Sequence, residues 1–120
     1  MSKITIEDVL KKKKLIEQEQ KTYHSSYFNA DIDIISINPE QIIDIMQEKT
    51  DQISQYCKLI YLSCPFFAQK ELQEQLNVAD PFDTVRAVYD DNICEIFEIG
   101  NLIMARYGFT TDKVEAVKKP

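Results

Sequence analysis

The chain has 120 residues, 44% of them hydrophobic and 28% charged, with a net charge of −6. That is the size and balance of one soluble globular domain; it argues against a disordered chain or a membrane span, and an acidic chain is repelled by free nucleic acid and by anionic membranes. One histidine, two glycines and three cysteines supply neither a Gly-rich phosphate loop nor a histidine metal cluster.

Residues 1–21 predict a helical or frayed leader. Thr5 and Asp8 have the spacing of a capping pair, and Ile6, Val9 and Leu10 share a helical face before Lys11 to Lys14 interrupt it. This stretch holds six lysines and four acids (+2), against eight bases and sixteen acids (−8) in residues 22–120. The residues that follow form one α-rich domain over 22–109, with residues 110–120 a short tail.

Residues 22–37 change period. Tyr23, Ser25 and Tyr27 alternate with their neighbours, Asp31-Ile32-Asp33-Ile34 alternates acid with isoleucine, and Asn29-Ala30 suits a tight turn between them. The expected product is a β-hairpin. Two strands alone are marginal in water, so it must lie on helices or on another chain.

Asn38-Pro39-Glu40-Gln41 is a helix start: Asn caps, proline has no amide to lose, and the acid suits the dipole. Ile42, Ile43 and Met46, with Ile45 a further candidate, make its expected buried stripe. Thr50-Asp51 opens the next helix, whose inward face is Ile53, Tyr56, Cys57, Ile60 and Cys64, and Pro65 ends it. A short polar helix over 69–76 follows, anchored by Leu72 and Leu76. Asp80-Pro81 repeats the cap-and-proline start, with Phe82, Val85, Val88 and Tyr89 facing inward. After a break at Asp90-Asp91-Asn92, residues 93–107 are apolar nearly all round, as befits a central helix. Gly108 suits a left-handed cap, with Phe109 folding back. Gly100 inside that helix costs about 1 kcal/mol relative to Ala, which either a close helix neighbour or chance explains. The fold class is therefore mainly α: about five or six helices with a short N-terminal hairpin.

Catalytic chemistry is poorly supplied. Glu95 and Glu98 lie three apart on one helical side, but no Gly-punctuated loop offers carbonyl ligands, so they read as helix-start acids. Cys57, Cys64 and Cys94 read as buried free thiols in a reducing cytosol. His24 is the only histidine that could activate one. No serine stands in a nucleophile elbow. The chain reads as a binding protein without enzymatic activity, metal or cofactor.

Aromatic residues are the candidate binding groups: Phe66, Phe67, Phe82, Phe97 and Phe109. Phe66 and Phe67 are adjacent in a non-helical link and cannot both enter one core easily. Either one covers a satellite cluster or one is exposed and adhesive.

Residues 78–119, VADPFDTVRAVYDDNICEIFEIGNLIMARYGFTTDKVEAVKK, run from Asp-Pro-aromatic through a short helix and an acidic helix start to an apolar helix closing on Tyr-Gly-Phe. This order resembles the tail assembly chaperones of contractile-tailed phages, the XkdN-like family of prophages and phage-tail-like particles. Residues 31–76 are similar too, with a strand, the Asn-Pro-Glu helix start, a helix ending near Pro65 and the Glu71-Leu72-Gln73 segment, so the resemblance spans most of 22–119. It departs at TYHSSYFNADIDI, where a basic, proline-containing strand is expected. The resemblance implies binding to apolar helical segments of a tape-measure protein, helix in groove, keeping it soluble before tail-tube polymerisation in the cytoplasm of the bacterial host. It also implies a frameshifted longer form arising near Lys118-Lys119; the tail-tube protein and a second copy of the chain are further candidate contacts, and the acidic balance argues against nucleic acid and membrane. The competing expectation is a small prophage-encoded adaptor or regulator that binds another folded protein.

Overall fold

Local capping chemistry sets the helix boundaries. The computed structural model of the protein describes residues 2–17, 21–90 and 92–109; the expectations for Asp91 and for the tail over 110–120, including Lys118-Lys119, lie outside them. Thr5 and Asp8 form the reciprocal cap: each backbone N–H donates to the other's side chain, at 3.0 and 3.2 Å. Helix α1 (Ile6–Glu17) follows. Its Ile6, Val9, Leu10 and Leu15 are all exposed.

Strands β1 (Thr22–Ser25) and β2 (Ala30–Asp33) form an antiparallel hairpin. Its turn is Ser26–Asn29, one step earlier than Asn29-Ala30, with Asn29 at φ +52°. Asn tolerates that left-handed geometry at low cost. Tyr27 and Phe28 consequently sit in the turn rather than in a strand. Ser25, Ile32 and Ile34 point into the protein, and His24, Asp31 and Asp33 point out.

Asn38 caps α2 (Pro39–Gln47) by accepting from the Glu40 N–H at 3.0 Å, while the Gln41 side chain accepts from the Asn38 N–H. Ile42 and Ile45 are its buried residues and Met46 is half-buried; Ile43, expected in the stripe, is 42% exposed. Residues 45, 42 and 46 fall within an arc of about 100°, whereas 43 lies about 60° beyond its edge. Asp51 caps α3 (Gln52–Ser63), accepting from the Ser54 N–H at 2.7 Å. Gln55 is buried and donates to the carbonyls of Met46 and Glu48, satisfying the open end of α2. Cys64 is extended, at φ −121° and ψ 98°, as the following Pro65 demands.

Pro65–Ala68 is a 3-10 turn, and α4 (Lys70–Gln75) follows without a side-chain cap. Asp80 accepts from the Phe82 N–H at 3.0 Å and starts a 3-10 turn, Pro81–Asp83, that runs into α5 (Thr84–Tyr89). Val85 and Tyr89 are fully buried; Phe82 and Val88 are half-buried. Asp90 takes φ +51° and breaks the chain direction before α6 (Ile93–Arg106).

Helix α6 is central and packs most extensively on α3. Its buried side is Ile96, Ile99, Ile103 and Met104, while Ile93 and Leu102 reach solvent. Gly108, at φ +81°, closes it: the Phe109 N–H donates to Met104 O and the Gly108 N–H to Ala105 O, the two bonds of a Schellman cap. The Tyr107 hydroxyl accepts from the Ile37 N–H at 2.7 Å, tying this end to the segment after β2.

Gly100 explains itself through its neighbour. A Cβ there would stand 2.5 Å from Cδ2 of Tyr56, so the α3 ring lies directly on the α6 backbone. The Tyr56 hydroxyl then donates to Asn101 at 2.7 Å, fixing the crossing. Gly100→Ala gains about 1 kcal/mol of helix propensity but overpacks the seam by about 1–3 kcal/mol. The expected net result is a lowered Tm, measured by thermal unfolding.

Candidate functional site

Burial of Glu95 decides where the hairpin sits. This carboxylate, 6% exposed, accepts from the Ser25 hydroxyl at 2.7 Å through Oε1 and from the Tyr27 N–H at 2.7 Å through Oε2. Ser25 Oγ in turn accepts from the Phe28 N–H at 3.1 Å. One turn along α6, Glu98 accepts from the Tyr23 hydroxyl. Burial, then the Glu98 bond, raises the Tyr23 hydroxyl above the ordinary tyrosine range, and burial followed by nearby Glu95 does the same for Tyr89. Two acids on α6 thus hold both strand and turn of the hairpin against the helical body. Among the described residues, no group of three or more His, Cys, Asp or Glu is placed to hold a metal ion.

Clamped there, the hairpin leaves a groove of about 500 Å³ between β2 and the Pro65–Ala68 turn. Phe66 forms one wall; Asp31, Asp33 and Ile35 form the other, and Phe28 is at the turn end. Phe66 is 46% exposed while Phe67 is fully buried. A 3-10 turn sets successive side chains about 120° apart, so one ring enters the core and its neighbour stays outside. The two rings meet edge to face at 5.4 Å, and the contacts continue from Phe67 to Tyr89 at 6.4 Å and from Tyr89 to Phe28 at 5.4 Å. Phe28 and Ile35 are 46% and 49% exposed, which makes the groove rim apolar and open to solvent.

The five candidate phenylalanines are not all brought together. Phe66 and Phe67 share this groove. Phe82 stands apart, edge to face on Tyr61 at 5.1 Å with Lys58 Nζ 5.2 Å from its ring centre; Lys58 also bridges to Glu48 at 2.8 Å. Phe97 is half-buried against Tyr56 at 5.5 Å, within the α3–α6 seam. Phe109 is half-buried on the core at the end of α6. Phe28 and Ile35 belong to the groove without having been singled out from the sequence; Phe28 beside Asn29 was the available signal, masked by the alternation of Tyr27.

Burial raises Cys57 to about 11 and Cys64 to about 12, so both stay protonated and inert. Cys94 is exposed rather than buried, and His24 pairs through Nδ1 with Asp31 at 2.8 Å. No helix among the described residues is long and apolar enough to cross a membrane. Comparison with protein-family models, with curated proteins and with solved structures finds no match to this chain.

Glu95→Ala leaves the Ser25 hydroxyl and the Tyr27 amide without their acceptor in a dry site. The expected cost is about 1–3 kcal/mol in urea unfolding, with faster hydrogen exchange at the Tyr27 amide than at the α3 amides.

Proposed function

We propose that the chain is a tail assembly chaperone of a phage or prophage, holding apolar segments of a tape-measure protein before the tail tube polymerises. The open groove at Phe66 carries this reading. An apolar ring 46% exposed beside a fully buried twin gives a surface whose burial waits on a partner. The order of motifs over residues 22–119 supports the choice of partner, through its resemblance to the XkdN-like chaperones.

The physical task suits the surface. A long free chain with repeated apolar stretches aggregates; covering each stretch with a small acidic domain removes the adhesive area and adds charge repulsion between coated chains. Each contact is small, so single-site affinity is modest, and many copies on one chain supply the hold through avidity. Displacement by polymerising tube subunits then needs only weak sites to be vacated one at a time. The setting is the cytoplasm of the bacterial host.

Phe66→Ser tests this reading on co-expression with a tape-measure protein from the same genome, which this reading expects to be encoded nearby. The variant should keep the parental Tm and lose the ability to keep that protein in the soluble fraction. Phe67→Ser should instead lose about 3–5 kcal/mol of stability, as large-to-small core changes do. A tape-measure protein equally insoluble with and without the wild-type chain contradicts the chaperone reading. A fixed one-to-one complex that rescues no aggregating chain favours an adaptor.

A further inference from the structure

The groove has one wall of unpaired backbone. Strand register pairs Thr22 with Asp33, Tyr23 with Ile32, His24 with Asp31 and Ser25 with Ala30, and the Ile34 N–H donates to Lys21 O at 2.8 Å. Hydrogen-bonded and non-hydrogen-bonded pairs alternate along an antiparallel ladder. With Lys21–Ile34 bonded, Tyr23–Ile32 and Ser25–Ala30 are bonded too, and the N–H and C=O of Asp31 and Asp33 point away from β1. Among the described residues the sheet has two strands, and within them these groups form its free edge. The next outward N–H, at Ile35, is taken by Ser63 O at 2.7 Å and closes that end. Asp31 and Asp33 line the groove opposite Phe66.

We propose that this edge takes up an extended segment of a partner, alternating basic and apolar residues, as a third strand of the sheet. The inference rests on the groove being the binding face, but not on the partner being a tape-measure protein. Side chains directly across a ladder share a face. Partner residues opposite Asp31 and Asp33 therefore stand on the outer face beside two carboxylates; Asp31 is already bonded to His24 Nδ1 at 2.8 Å, and the groove lining holds no lysine or arginine. Residues between them fall on the face of Ile32 and Ile34, toward Phe66 and Phe67. Basic side chains suit the first set and apolar ones the second.

Other occupants fit less well. A second copy of β2, laid antiparallel about Ile32, sets Asp31 against Asp33 twice, and like charges directly opposite are destabilising. That arrangement protects the edge from self-pairing. A helix lying in the groove covers the edge without pairing its N–H and C=O groups, which is costly in an apolar setting. An added strand satisfies them, leaving the side chains to set specificity.

The probe is the capped peptide Lys-Val-Lys-Val-Lys-Val-Lys, titrated into the isotope-labelled full chain. Two controls accompany it: the Glu-Val counterpart, and a Lys and Val peptide of the same composition with valines in helical spacing. The alternating basic peptide should bind most tightly and slow hydrogen exchange at the Asp31 and Asp33 amides. Asp33→Pro removes an outward N–H that the hairpin does not use; it should keep the Tm and weaken binding by about tenfold, the scale of a lost backbone hydrogen bond. The double change Asp31→Lys with Asp33→Lys should switch preference to the Glu-Val peptide, and decides the matter if the proline variant unfolds. Equal or tighter binding of the helically spaced peptide, unchanged exchange at both amides, or no binding of the alternating peptide overturns the inference. No tape-measure protein is present, so peptide binding without client rescue sinks the chaperone reading alone. Client rescue without peptide binding sinks strand addition alone.

Discussion

A buried carboxylate on the central helix holds the hairpin, and the hairpin makes the surface. Four-residue strands in a lone pair have too few ladder bonds and too little apolar area to persist in water. Glu95 supplies what they lack by accepting from Ser25 and from the Tyr27 backbone at once, and Glu98 adds the Tyr23 bond. With the hairpin fixed, β2 stands beside the Pro65–Ala68 turn and the groove exists; released, Ile32 and Ile34 have no core to enter.

Rigidity on the other side comes from the α3–α6 seam. Tyr56 lies on Gly100, Asn101 holds its hydroxyl, and the Schellman turn at Gly108 ends α6 where Tyr107 meets Ile37. The Tyr107 bond to Ile37, with the Ile35 N–H on Ser63 O, ties the segment between β2 and α2 to α6 and α3. The groove is thus bounded by elements that are each anchored to α6 or α3, and an open apolar surface on a rigid frame binds without a large ordering cost.

Much of this was legible in the sequence where the chemistry is local. Asn38-Pro39, Asp51, Asp80-Pro81 and Gly108-Phe109 act within a few residues, and each appears where its capping logic puts it. Gly100 leaves a close approach and chance both open, and the Tyr56 ring on its backbone decides for the first. The hairpin turn was displaced because Tyr27 continues the strand-like alternation, while the turn follows the left-handed preference of Asn29. The pattern puts Ile43 in the buried stripe ahead of Ile45 and the structure reverses the two, since the apolar residues of α2 cover more than the arc that is buried. Glu95 read as a helix-start acid because its partners are 68 and 70 positions away. The groove was hidden for the same reason. Adjacent phenylalanines hinted at one exposed ring, but the β2 wall facing it is distant in sequence.

Hydrogen–deuterium exchange on the chain alone and in complex with the proposed tape-measure partner tests the central claim most directly. Protection gained over residues 30–35 and 65–69, with the α3 and α6 amides unchanged, is the predicted result. Protection confined to α1, or to the Lys58–Phe82 surface, with residues 30–35 and 65–69 exchanging as in the free chain, would contradict it.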